Sequence, residues 1–283
     1  MSKKIAFGWY GGKYSHLDFI LPLLPKTRHF CEPFGGSAAV LINRKPSKVE
    51  TYNDLDGEVV NFFKVLRDEP EALIEKLEHT PYARAELGRA IKAEPESEIE
   101  AARQFFVKAR QTRTGLAQAS TVGRWAYDVK GSRSGMAGVC SRWQGGIRGL
   151  EVVAERLKRV QIESLPALEI VEKYDSKGTL FYCDPPYVLD SRSSGKAYRH
   201  EMKDEEHQKL AELLHEVSGK AAISGYEGSL MDRLYEDWNR VSYSSTAHSN
   251  KSQRKEVVWA NYPIKKTENG TFTYEKRTNF FNY

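Results

Sequence analysis

The chain is poor in cysteine. Its 283 residues include three, Cys31, Cys140 and Cys183, odd in number and far apart. Such a set supplies neither a disulfide framework nor the paired spacing of a zinc site, and it suits a reducing, cytoplasmic compartment. No metal is expected. No apolar run approaches the roughly 20 residues that cross a bilayer. The apolar part of the first eight residues is too short for a secretory signal. A Walker-type phosphate loop, a complete Gly-x-Gly-x-x-Gly and an internal repeat are all missing. What is present is ordinary for a soluble globular protein: 40% hydrophobic and 29% charged residues, with length for one large domain or one domain plus an insertion.

The most informative stretch is Thr179-Leu-Phe-Tyr-Cys-Asp-Pro-Pro-Tyr187. A short, continuous apolar run from Leu180 to Cys183, bounded by Gly178 and by prolines, predicts a buried strand of a parallel sheet. Asp184 then falls at the carboxyl end of that strand, where open α/β sheets bind ligands. Pro185 and Pro186 stiffen the turn and cannot extend a ladder. A fixed carboxylate beside a free peptide carbonyl gives two acceptors at a set separation. Two acceptors suit an amino group with two N–H donors, whose lone pair they would localise and aim at an electrophile. Tyr187 offers a ring on which a base could stack. A capped strand end with a buried aromatic would carry the same residues, so the context decides.

Two glycine-rich turns come earlier. Gly11-Gly12-Lys13 precedes a short helical pattern, disturbed by Pro22, and would let backbone amides and a lysine approach an anion. His29 to Val40 reads as strand, turn and helix start around Glu32-Pro-Phe34-Gly35-Gly36-Ser-Ala38, as in the first turn of a nucleotide-binding sheet. About twenty residues on, a second predicted strand ends at Asp54, the usual place for an acid that grips ribose hydroxyls. Further strands are predicted at 160–163, 221–225, 240–244 and 256–262. Helices are predicted at 57–67, near 70–79, 84–93 and 97–112, over 150–157, and from an Asp204 cap to Val217. Asn269-Gly270 marks a possible hairpin.

Charge is unevenly distributed. From Asp68 to Glu100 ten acids face four bases, and from Arg103 to Arg148 nine bases face one acid, Asp128. The basic stretch is rich in Gly, Ser and Trp and loses helical periodicity beyond Gly115. It reads as the irregular tip of an insertion over residues 68–148, and as a footprint for a polyanion. Arg113, Arg124, Lys130, Arg133 and Arg142 are its candidate phosphate contacts, with Trp125, Tyr127 and Trp143 for stacking or for a small core. Two more basic loops, holding Lys196 and Arg199 and then Lys251 and Arg254, add to the candidates.

Taken together, these motifs resemble the Dam-like (D12 class) DNA adenine N6-methyltransferases. The resemblance rests on Trp9-x-Gly-Gly-Lys13, Glu32-Pro-Phe-Gly-Gly-Ser-Ala38, Asp54, Asp184-Pro-Pro-Tyr187 and Lys255-Glu-Val-Val-Trp-Ala-Asn-Tyr262, in that order. It implies an α/β fold: a seven-stranded, mostly parallel, Rossmann-like class I methyltransferase sheet with helices on both faces. Residues 1–67 and 149–283 would form the catalytic domain, and 68–148 an inserted, mainly helical and irregular recognition domain. Asp184 and the Pro185 carbonyl would bind the amino group of an adenine flipped out of double-stranded DNA, with Pro186 and Tyr187 completing the catalytic motif. Trp9, Lys13, Glu32, Phe34, Gly35, Gly36, Asp54 and Asp184 would line the S-adenosylmethionine pocket. A monomer is implied, with a restriction endonuclease that reads the same site as a possible partner. Ala38 departs from the family's usual third glycine, and Leu165-Pro166 stands where relatives often carry an acid. Methylation of cytosine N4, of RNA or of a protein glutamine, or a catalytically silent DNA-binding module, are the alternatives.

Overall fold

The computed structural model describes residues 3–113, 120–188, 200–246, 253–267 and 270–274. A 3-10 turn (Lys13–His16) leads into α1 (Leu17–Leu23), β1 (His29–Glu32), α2 (Ala39–Asn43), β2 (Val49–Asn53) and α3 (Gly57–Asp68). Helices α4 (Pro70–Glu78), α5 (Arg84–Lys92) and α6 (Glu98–Gln111) follow, then the small ribbon β3 (Ser132–Arg133) and β4 (Met136–Ala137), and α7 (Gly138–Arg148). The chain returns through α8 (Leu150–Leu157), β5 (Gln161–Glu163), α9 (Ala167–Tyr174), β6 (Thr179–Cys183), α10 (Asp204–Glu216) and β7 (Lys220–Tyr226). It ends with α11 (Ser229–Leu234), β8 (Asn239–Thr246), β9 (Gln253–Ala260) and the hairpin β10 (Ile264–Lys266) and β11 (Phe272–Tyr274).

The centre is a seven-stranded sheet in the order β5-β2-β1-β6-β7-β9-β8. The pairings among β5, β2, β1, β6 and β7 are parallel, while β9 runs antiparallel to both β7 and β8. Alternation along each strand splits the core into two layers, as a pleat requires. In β6, Leu180 and Tyr182 face the layer that holds α1, α2, α3 and α8, whereas Phe181 and Cys183 face that of α9, α10 and α11. Leu180, Phe181, Tyr182 and Cys183 are all fully buried.

Local chemistry sets several boundaries. Asp56 caps α3 by accepting the Glu58 N–H at 3.0 Å, and Val59, Phe62, Phe63 and Leu66 form its buried face. Ser97 caps α6 in the same way at 3.2 Å. Helix α10 is capped at Lys203, not at Asp204; the Lys203 N–H donates to Glu206 at 2.7 Å, and Asp204 is the first helical residue. An acid there suits the positive end of the helix dipole equally well.

Helix α7 lies where the sequence pattern suggested only irregular chain. Gly138, Gly145 and Gly146 weaken the helical signal, but Gly146 has a packing reason. A Cβ there would sit 2.6 Å from the Arg110 guanidinium that crosses the helix. Leu73, Leu77, Leu87, Phe105, Phe106 and Trp143 from α4 to α7 are buried in the same layer as α3 and α8.

Candidate active site

The strand order reverses between β1 and β6, and open sheets carry a crevice beyond the carboxyl ends at such a point. Here that crevice is a cavity of about 950 Å³, including the part open to solvent. Its wall contains Trp9, Lys13, Glu32, Phe34, Gly35, Gly36, Asp54 and Asp184 together. Residues far apart in the chain thus share one cavity, each delivered by the end of a strand or by the 3-10 turn.

Asp184 leaves β6 with its side chain 16% exposed. Lys13 Nζ lies 2.8 Å from the buried Oδ1, and also donates to the Gly11 carbonyl at 2.8 Å. Burial pushes the Asp184 pKa up to about 6, against the pull of Lys13, with Glu256 adding to the rise. For Lys13 itself, burial works downward, but the facing Asp184 and Glu256 carboxylates outweigh it and hold the ammonium above its ordinary value. The pair is therefore charged at neutral pH, with Oδ1 committed to Lys13 and the exposed part of the carboxylate turned to the cavity. Pro186 also lines the cavity, whereas Pro185 is buried behind it. Tyr187 is 6% exposed, edge-on to Tyr226 at 4.6 Å, with Lys13 Nζ 4.8 Å from its ring centre. The ring is packed beside the site and is not an open platform.

The two other carboxylates are equally constrained. Asp54 accepts the Gly36 N–H at 2.7 Å on Oδ2 and the Asp56 N–H at 2.8 Å on Oδ1. Burial still raises its pKa to about 6. Each oxygen keeps a second lone pair for a hydroxyl donor. Glu32 is 2% exposed, accepts the Leu41 N–H at 3.3 Å, and has its carboxyl pushed well up by burial.

The glycines do a different job from the one their pattern suggested. Neither turn forms an anion cradle: the Gly12 N–H is used by the Trp9 carbonyl at 3.0 Å, the Gly36 N–H by Asp54, and Lys13 by Asp184. Gly35 is needed because a Cβ would lie 2.1 Å from Tyr52 Cε2. Gly36 combines φ +47° with a Cβ position 2.7 Å from the Trp9 indole. Ala38, in place of the usual glycine, also adopts the left-handed region at φ 53°, and its methyl is fully buried. The strain of about 1 kcal/mol for an alanine there is offset by about 0.8 kcal/mol for one buried methyl. At Leu165, the missing acid is replaced by a backbone clamp. Asn53 accepts the Leu165 N–H at 2.9 Å and donates to the Leu165 and Pro33 carbonyls at 3.0 and 2.8 Å.

Sequence reasoning missed part of the wall. Glu201 and Met202, just before α10, and Glu206 in its first turn close one side of the cavity together with His200, the last residue of a basic loop after Tyr187 that the sequence suggested could fold over a substrate. Behind Asp184, Glu256 accepts the Tyr243 O–H at 2.8 Å and faces His16 Nε2 at 3.5 Å. Glu256 stood inside a quoted motif, but no local pattern ties it to residues at the other end of the chain.

The basic segment divides into inward and outward residues. Arg103 pairs with Glu86 and Glu100, Lys108 with Glu58, and the Arg110 guanidinium donates to the Ala6 carbonyl at 2.7 Å. These three are structural, which corrects the reading of the whole run as a footprint. Burial pulls Arg110 down to about 10. Arg113, Lys130, Arg133 and Arg142 are exposed and Arg124 is half-buried. Arg113 lies over the Tyr127 ring at 5.0 Å, and Arg142 is 3.8 Å from Asp128. Trp143 belongs to the core against Phe106, while Tyr127, 49% exposed, stacks on Trp125. Arg254 falls in β9; Lys196, Arg199 and Lys251 lie outside the described residues.

A carboxylate held at a strand end by a buried lysine, at the switch point of a seven-stranded sheet, defines an α/β enzyme with a ligand crevice at its carboxyl edge. The family model for D12 class N6 adenine-specific DNA methyltransferases matches residues 9–255. The chain belongs to that family and is an adenine-specific DNA methyltransferase. It is 27% identical to a type II methyltransferase, M1.LlaDCHI, of Lactococcus lactis subsp. cremoris, over 90% of this chain and 94% of that one. It is 28% identical to a DNA adenine methylase of Vibrio cholerae over 66% of this chain and 67% of that one. A third relative is the type II methyltransferase M.MjaIII of Methanocaldococcus jannaschii, 23% identical over 84% of this chain and 90% of that protein.

Proposed function

We propose that the enzyme methylates the N6 amino group of an adenine extruded from double-stranded DNA, using S-adenosylmethionine bound in the crevice at the ends of β1, β2 and β6. The observation that carries this reading is the gathering of Asp184 with Glu32 and Asp54 in one cavity. These three are among six carboxylates that line it, and its lining lysine, Lys13, is already paired with Asp184. That donor set fits a ligand with positive charge at a sulfonium and an ammonium, and its wall of Trp9, Phe34 and Leu165 fits an apolar ring. The bound cofactor supplies an electrophilic methyl group.

The chain's own residues bind and orient. Asp54, with both oxygens fixed by backbone amides, would accept the ribose hydroxyls. Gly35 and Gly36 hold Tyr52 and Trp9 close and so fix the cavity wall. The cavity-facing part of the Asp184 carboxylate and the Pro185 carbonyl would each accept one N–H of the amine. That pairing draws the nitrogen lone pair out of the ring and points it at the methyl group. A carboxylate with a pKa near 6 is a stronger acceptor than an exposed one and can take the proton the amine loses. Tyr187 would stack on the base after the ring becomes accessible.

Residues 1–67 and 149–283 are assigned to catalysis and 68–148 to target recognition. Arg113, Arg124, Lys130, Arg133 and Arg142 would contact DNA, supported by Lys196, Arg199, Lys251 and Arg254. We infer a monomer, and a restriction endonuclease reading the same site, since two of the relatives are named type II methyltransferases. The deciding experiment incubates purified protein with DNA and labelled cofactor, then digests the DNA to nucleosides. Label in N6-methyladenine is expected. Asp184→Ala should abolish it while still binding cofactor; substantial turnover by that variant refutes the assignment.

A further inference from the structure

We propose that Glu256 is a positioning residue for the methyl transfer: seated on His16 of the same 3-10 turn, it holds a negative charge beside Lys13, so that Lys13 stays on Oδ1 and Asp184 keeps its aim. The inference rests on Asp184 being the amine acceptor.

The geometry places Glu256 at the back of the site. Lys13 and His16 are three residues apart in one 3-10 turn, so their side chains eclipse on the same face. His16 Nε2 meets Glu256 Oε1 at 3.5 Å, which brings the carboxylate beside Lys13. In the sheet, Glu256 is paired across the ladder with Tyr226 on β7 and with Tyr243 on β8. Tyr243 fixes the second oxygen through its hydroxyl at 2.8 Å, and Tyr226 packs edge-on against Tyr187 at 4.6 Å. Glu256 is only 6% exposed. A buried carboxylate so placed needs a cation, and Lys13 helps to meet that need.

The ammonium therefore contacts one carboxylate, Asp184, and is attracted by a second, Glu256, that contacts His16. From the 3-10 turn, Lys13 and His16 face the cluster; from the end of β6, Asp184 and Tyr187 do. Tyr182 on β6, Tyr226, Tyr243, Glu256 and, further off, Glu32 on β1 complete the titratable groups around it. A flexible lysine held by one partner alone would sample other positions, including contact with the incoming base. Held on Asp184 and the Gly11 carbonyl, in the field of Glu256, it has one place to be.

The two ways Glu256 could act have opposite signs. As a mere like-charge neighbour it lifts the Asp184 pKa, and removing its charge would lower it. As a brace for Lys13 it keeps the opposing cation on Oδ1. Removing it lets Lys13 drift, and burial then lifts the Asp184 pKa further. The test measures methylation of unmodified DNA by wild type, Glu256→Gln and Tyr243→Phe across about pH 5 to 9 at saturating cofactor. Glu256→Gln should lose about tenfold or more in kcat, keep KM for DNA and cofactor Kd within about twofold, and move the acid limb of kcat upward. Tyr243→Phe should move the limb the same way by less. An acid limb that moves down, or a wild-type kcat and limb, overturns the inference. If Glu256→Gln does not fold, Tyr243→Phe decides by the same readouts. Asp184→Asn separates the two levels: turnover by that variant sinks the amine-acceptor reading, whereas an inactive Asp184→Asn beside a normal Glu256→Gln sinks the positioning role alone.

Discussion

Replacing Gly35 by alanine should damage the enzyme through one aromatic ring. The new Cβ would lie 2.1 Å from Tyr52 Cε2, 2.5 Å from Cδ2 and 2.8 Å from Cζ. The ring cannot retreat, because Tyr52 is fully buried, donates to the Gly36 carbonyl at 2.8 Å and packs edge-on against Phe63 at 5.1 Å. The backbone must move instead, and overpacking of this kind costs about 1 to 3 kcal/mol. A domain of this size would lose about 2 to 4 °C in Tm per kcal/mol, or about 5 to 10 °C near the upper half of that range. The movement also pulls on the Gly35 N–H bond to Asn53 and on the neighbouring Gly36 N–H bond that orients Asp54. Cofactor affinity should therefore fall together with Tm. Differential scanning calorimetry and titration calorimetry measure the two losses. Tyr52→Val removes the clashing atoms, so in a double-mutant cycle with Gly35→Ala it should show a favourable coupling above about 1 kcal/mol. A Gly35→Ala protein with wild-type Tm, or full additivity in the cycle, would show that the close approach does not constrain this turn.

Two further predictions concern charge. Asp54 and Asp184 have folded pKa values raised from 3.8 to about 6, so each favours the folded state when protonated; the stability they contribute is complete below about 3.8 and lost as pH rises through about 6. A cationic cofactor favours their charged forms, so the Tm gain it produces should grow as pH rises from about 5 to about 7, and a gain that is flat or shrinks over that range would contradict the assignment of both carboxylates to its pocket. Removing charge at Arg124, Arg133 and Arg142 together should weaken DNA binding and reduce the salt slope by about 0.9 for each phosphate no longer neutralised, with cofactor Kd within about twofold; equal losses of both affinities would mean that these arginines support the fold.

Much of the sheet was legible from sequence, for a physical reason. The strand Leu180 to Cys183 is buried on both faces, so it reads as a short apolar run between glycine and proline, whereas β5 and β8 carry a weaker signal of isolated apolar residues among polar ones. The cavity residues were legible because strand ends place chemistry at fixed spacings: Asp184 follows an apolar run, Glu32 ends the strand before a Gly-rich turn, and Asp54 follows the next strand about twenty residues on. Helices α7, α9 and α11 were not legible. The first has three glycines, the second is eight residues long and starts directly after Pro166, and the third is six residues long. Pairings across the sheet stayed hidden for a different reason. Glu100 lies one helical turn from Arg103, but nothing local to Arg103 shows that Glu86 also neutralises it, and nothing local to Glu256 shows that Lys13 is near. A count of charges along the chain therefore overstated the basic surface and missed the brace behind the site.

The placement of charge also limits how an adenine can reach Asp184. The cavity is lined by Glu32, Asp54, Asp56, Asp184, Glu201 and Glu206 against Lys13 and His200, so its mouth repels anions. A phosphate about 7 Å from one such carboxylate meets a cost of about 2.4 kcal/mol at an effective dielectric of about 20, before screening. Several carboxylates multiply that cost, and strand backbone is kept out. A neutral base meets no such penalty, and its amine is drawn to the same acceptors. On the proposed reading, exposed Arg113, Lys130, Arg133 and Arg142 would attract the phosphates elsewhere on the surface. On the proposed reading, these opposed fields let only an extruded base enter while the duplex stays outside. Extrusion costs a few kcal/mol of unstacking, which the two hydrogen bonds to the amine and the contact with Tyr187 are placed to offset. Weakening the carboxylates by low pH would then relax the exclusion of phosphate and weaken the hold on the amine at the same time, which is why the acid side of the pH profile reports on both.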